Sequence, residues 1–153
     1  MEPKTGAQRH PSGRTIPAGL NEDVVRAVVL SFYSDARADP VIGPIFNAAI
    51  AEPDWPEHLD TITNFWCSML LGTRSYAGQP MSKHLTLEGL EDRHFDRWLA
   101  LFRNTVERLC RPEVAALFVD RAERVAHSFR IGIAIHRGQD SLQVSVMRAA
   151  PTA

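Results

Sequence analysis

"DWPEHLDTITNFWCSMLLG", residues 54–72, carries the clearest helical signal in this chain. Asp54 is placed to cap, Glu57 stands three residues on to close a capping box, and Pro56 is tolerated in a first turn. His58, Ile62, Phe65, Trp66 and Met69 then recur at helical spacing, so one face is apolar and a histidine heads it. Gly72 supplies a stop. A helix that buries such a stripe needs other helices to bury it against, and the rest of the chain offers them.

Upstream, Asn21 is an N-cap followed by acidic Glu22 and Asp23, and Val25, Val29, Phe32 and Tyr33 share a face. "ADPVIGPIF" interrupts through Pro40, Gly43 and Pro44, and Phe46 and Ile50 close a short helical segment. Downstream, "EDRHFDRWLALFRNTVERL" turns Phe95, Trp98, Leu101, Phe102 and Val106 inward. Pro112 opens a last helix carrying Val114, Leu117, Phe118, Val125, Phe129 and Ile133. No run shows the period-two alternation of an exposed strand, and no repeat is present. The expectation is an all-α domain of five or six helices over residues 19–137. Residues 1–18, rich in Pro, Gly and charge, are expected to be a flexible tail. Residues 138–153 read as a second tail in which "LQVSV" docks as a short extended piece.

Composition narrows the function. The chain has 153 residues, 44% of them hydrophobic, with a formal net charge of −1, which suits one globular domain. A near-neutral chain lacks the concentrated basic face that nucleic acid or an anionic membrane needs. Its apolar runs are too short to span a bilayer, and its first residues lack a signal peptide's apolar core, so a cytoplasmic location is expected. Cys67 and Cys110 lie inside helical patterns, and Cys67 is expected to be buried and inert. There is no HExxH, CxxC, GxSxG, phosphate loop or dinucleotide glycine set.

Four residues on inward faces carry polar groups: Tyr33, His58, His84 and Trp98. Each alone is most simply a core residue with a satisfied polar tip. His94, His127 and His136 are left at that reading, and His10 falls in the N-terminal tail. The four arise on separate elements, while Phe46, Ile62, Phe65, Met69, Leu85, Phe102, Phe129 and Ile133 offer apolar lining. That combination suits a large flat hydrophobic cofactor with one metal at its centre, bound between facing helices. A haem site therefore stands beside the plainer reading of a well-satisfied helical core.

Six stretches in order resemble the truncated haemoglobins, specifically the third or P-class group. They are "FY" at 32–33, "DPVIGPIFNAAI" at 39–50, "W.EHL" at 55–59, "FWCSMLLG" at 65–72, "Y.GQPMSKHL" at 76–85 and "HFDRWLALF" at 94–102. The likeness covers about residues 20–135. It implies a shortened globin whose helices sandwich haem b, with His84 as the proximal iron ligand. Tyr33, His58 and Trp98 would be the distal polar residues, with Ile62 as their apolar neighbour. The resemblance implies binding of O2 and of NO, cyanide or peroxide. A polar distal pocket points to NO dioxygenase or peroxidase-like chemistry rather than oxygen transport, with electrons from a separate reductase. A gas sensor without turnover and a bis-histidine electron carrier, His58 opposite His84, are the alternatives. A monomer or weak dimer is expected, the second nitrogen of His84 should find a backbone carbonyl or water, and Arg74, Tyr76, Lys83 and Arg137 are candidates for the haem propionates.

Overall fold

The computed structural model describes residues 6–76 and 89–151. Among them are five α-helices: α1 Glu22–Ala38, α2 Gly43–Ala49, α3 Trp55–Leu71, α4 Asp92–Leu109 and α5 Pro112–His136. Helices α4 and α5 pack on each other, and α1 packs on both α3 and α4. The core between them is built from residues the helical period turns inward, Val25, Val29 and Phe32 of α1 meeting Leu99 and Val106 of α4 and Phe118 of α5. Burying each such side chain stabilises the fold by roughly 1.5–3 kcal/mol before the entropy of ordering is counted.

The helix ends follow local chemistry. Asn21 stays extended and its side-chain oxygen accepts the Val24 N–H, so α1 starts where the cap predicts. Gly72 adopts a left-handed conformation with φ 73° and ends α3. Asp39 ends α1 and organises the next corner: its carboxylate accepts from the backbone of Val41 and Ile42 and pairs with Arg97 of α4. Burial pushes the Asp39 pKa up, but Arg97 and these two N–H groups outweigh it and hold the carboxyl below its ordinary value. The position of Arg97, and so of its neighbour Trp98, is tied to the start of α2.

Three local expectations are corrected. Asp54 does not cap α3. It lies at the end of a 3-10 turn, Glu52–Asp54, already in helical conformation, and its carboxylate accepts no cap bond. A side chain caps well only from an extended residue, and the turn removes that geometry. Residues 1–18, expected to be a flexible tail, contain an antiparallel hairpin, β1 Ala7–Arg9 paired with β2 Thr15–Pro17. Strands of three residues are too short to show an alternation. This hairpin is fastened to the helices: Ile16 is buried, Ser12 Oγ donates to the Leu71 carbonyl at 2.5 Å, and Arg14 Nη1 donates to the Met69 carbonyl at 2.5 Å. In "LQVSV", Leu142 and Gln143 fall in a second 3-10 turn rather than an extended piece. The chain beyond does dock, because the Ala149 N–H reaches buried Glu123 of α5 at 2.7 Å and its carbonyl accepts from Arg103 of α4 at 3.1 Å.

Candidate functional site

The helices leave an apolar cavity of about 150 Å³, walled by all five helices together with Tyr76 and Leu90. Tyr33 reaches it from α1, His58 from the first turn of α3, and Trp98 from α4. Phe46, Ile62, Phe65 and Phe129 also line it. Its further walls include Ile42, Ile45, Thr61, Phe95 and Ala126. Phe95 and Thr61 were open to discovery, each standing three residues from a polar member of the site, Trp98 or His58. No Asp, Glu, Lys or Arg lines the cavity among the described residues.

The polar residues are arranged rather than merely present. The Trp98 indole N–H donates to the Tyr33 oxygen. Burial pushes the Tyr33 pKa far above the ordinary phenol value, a shift this hydrogen bond only partly offsets. Tyr33 is therefore a neutral phenol at any physiological pH, its lone pair engaged by Trp98 and its own O–H available as a donor. Phe32 sets both rings from behind, edge-on to Tyr33 at 4.9 Å and to Trp98 at 5.9 Å.

Other expected residues fall elsewhere. Phe102 does not face the cavity. It is stacked between Trp98 at 5.5 Å and Trp66 at 5.0 Å, and supports the site from the core. Met69 is likewise absent from the wall, because it lies near the C-terminal end of α3, where its carbonyl meets Arg14. Ile133 faces a second hollow with Arg130 and Arg137. His84, Leu85 and Lys83 lie outside the described residues. Tyr76 lines the cavity and meets Phe65 edge-on at 5.4 Å, whereas Arg74 is exposed and Arg137 donates to the Leu90 carbonyl at 3.0 Å.

His94, read as an ordinary core histidine, is indeed buried, but it also lines the cavity. Its Nδ1 accepts the backbone N–H of Glu91 at 2.9 Å, which leaves the proton on Nε2. A ring held in that tautomer has no lone pair on Nε2 to give a metal. Cys67 is buried, and burial pushes its thiol up to about 11, so it is no nucleophile at neutral pH. No cluster of three metal-ligating side chains occurs among the described residues.

Apolar walls without Asp, Glu, Lys or Arg among the described residues, and hydrogen-bonding side chains gathered from α1, α3 and α4, are the lining chemistry that suits a flat apolar macrocycle presenting a small polar ligand to them. The bacterial-like globin family model matches residues 18–130. A group 3 truncated hemoglobin of Campylobacter jejuni, ctb, is 37% identical over 113 residues, covering 72% of this chain and 89% of that protein. The crystal structure of a group III truncated hemoglobin from Campylobacter jejuni matches with a TM-score of 0.70 at 35% identity, over 75% of this chain and 92% of the other.

Proposed function

This chain belongs to the bacterial-like globin family as a group III truncated haemoglobin, which carries with it haem-based binding of small ligands, and from that premise we propose that it holds haem b through His84 and retains O2, or NO, by donation from Tyr33. The haem supplies an iron at which a diatomic ligand binds. The surrounding residues decide how long the ligand stays and what it meets there.

The observation that carries this reading is the meeting of Tyr33, Trp98 and His58, from three helices, in one cavity that no Asp, Glu, Lys or Arg lines among the described residues. With its oxygen already accepting, the phenol's O–H is the donor turned to a ligand that gathers negative charge. Trp98 acts through Tyr33, polarising that O–H, and His58 supplies a second donor from α3. A net hydrogen bond is worth about 1–1.5 kcal/mol, or roughly tenfold in release rate. Several donors around one ligand suit chemistry on O2, NO or peroxide better than delivery of oxygen. Turnover would take its electrons from a separate reductase. A cytoplasmic setting fits that chemistry, and no helix among the described residues is long and apolar enough to cross a membrane.

Haem spectra and ligand-release rates test the proposal. The purified protein should show a Soret band, and His84→Ala should lose normal haem ligation; a mutant with wild-type ligation would overturn the proximal assignment. Tyr33→Phe should speed O2 release about tenfold, and Trp98→Phe by less, because it removes only the support of the donor. Equal effects would show that Trp98 donates directly. NO consumption by the oxygenated protein, measured with a reductant, separates turnover from sensing. A six-coordinate low-spin ferric spectrum would instead reveal a bis-histidine state, with His58 opposite His84.

A further inference from the structure

Trp55, the first residue of α3, is 2% exposed, yet its indole N–H has no hydrogen-bond partner. A buried unpaired donor costs stability, and a phenylalanine would avoid that cost, so stability alone is a poor reason for an indole here. The surroundings offer another. On one side the Trp55 ring meets His58 edge-on, with centroids 5.5 Å apart, and Tyr33 at 6.1 Å. The guanidinium of Arg37 sits over the ring, 4.3 Å from a centroid. Arg37 is held there by Glu52 at 2.6 Å and by Asn47 Oδ1 at 3.3 Å, and Asn47 returns a bond to the Arg37 carbonyl at 3.0 Å.

One guanidinium thus ties the end of α1, the middle of α2, the 3-10 turn and the start of α3 into a single corner. This is the end of α3 where no side chain caps the helix, so packing on Trp55 fixes the first turn in place of a cap. Trp55 and His58, three residues apart, lie on the same face of that turn. We propose that Trp55 is a positioning residue for His58, and that Arg37, clamped by Glu52, is a surface latch that keeps Trp55 and therefore His58 turned toward the cavity. This rests on the haem reading. With the latch intact His58 stays beside the bound ligand; with it broken, the first turn of α3 loosens and His58 swings away, opening a path from solvent.

The test uses the full haem-loaded chain in its ferrous carbon monoxide form, whose C–O stretch reports how many donors face the ligand. Arg37→Met and Trp55→Phe should each move part of the C–O stretch to a band with fewer donors. Each should also raise the CO association rate about two- to five-fold, the population change that a lost cation–π contact supports. Arg108→Met is the control. It breaks α1's contacts from Arg108 to Ser31 and Asp35 without touching Trp55, and should leave band and rate as in the wild type. A wild-type band and rate in both Arg37→Met and Trp55→Phe would overturn the latch while the haem reading stands. A wild type without a Soret band would overturn both. If Trp55→Phe does not fold, Arg37→Met, an alteration at the surface, decides alone.

Discussion

The two ends of α3 are built in opposite ways. At the C-terminal end Gly72 turns left-handed and its N–H returns to Ser68, while Ser12 and Arg14 of the hairpin satisfy the Leu71 and Met69 carbonyls. A cation at that end also suits the helix dipole. At the N-terminal end the helix grows out of a 3-10 turn, no side chain caps it, and an indole under a guanidinium holds the first turn. His58 stands at the second end. A helix pinned far from its polar residue and lightly held beside it can shift that residue without giving up its place in the fold. Stability and ligand control are thereby separated along one helix, and each end can be broken on its own.

The largest effect should come from the pinned end. Ile16→Ala removes the buried anchor of the hairpin and should cost about 2–4 kcal/mol in urea unfolding followed by circular dichroism. The C–O stretch of the haem-loaded protein should stay unchanged. A shifted band would mean that the hairpin reaches His58 and that the two ends are not independent. Gly72→Ala comes next. Its φ of 73° disfavours any side chain, and an added Cβ would meet the Arg14 guanidinium at 3.2 Å, so about 1–2 kcal/mol should be lost. An unchanged unfolding midpoint would show that α3 can end elsewhere at no cost.

How far the sequence could reveal this contrast depends on the range of each interaction. Asn21, Gly72 and Pro112 act on their own helix ends, and the helix boundaries they suggest are the ones observed. Helical period likewise brings Tyr33, His58 and Trp98 to one cavity, because each needs only its own face to be right. What stayed hidden depends on distant partners. Nothing near Trp98 in the chain says that its N–H is spent on Tyr33, or that Phe102 sits behind it. The hairpin was illegible because its anchor points, Met69 and Leu71, lie more than fifty residues from Ser12 and Arg14. Asp54 looked like a cap because motif spacing carries no record of the turn before it. His84, central to the family resemblance, lies outside the described residues, so its role rests on that resemblance.

The smallest effect concerns pH and again touches only the pinned end. His10 Nε2 lies 2.5 Å from Glu22 at the start of α1, and its Nδ1 contacts Ser12 Oγ at 2.9 Å, linking the pair to the bond on Leu71. Hydrogen bonding from His10, and then from backbone, holds the Glu22 carboxyl below its ordinary value against a small effect of burial. A carboxylate with a lowered folded pKa adds stability that is present above its unfolded pKa and lost as pH falls through the folded one. Glu22 is half exposed, so the pair is worth less than about 1 kcal/mol. Wild type should therefore exceed Glu22→Gln by a few tenths of a kcal/mol at about pH 6, with the gap closing toward about pH 3. A gap that widens on acidification would reverse the sign and remove Glu22 from the hairpin's support. Because the link ends on the Leu71 carbonyl, acid should loosen the hairpin before it disturbs Trp55, leaving the His58 end of α3 as it was.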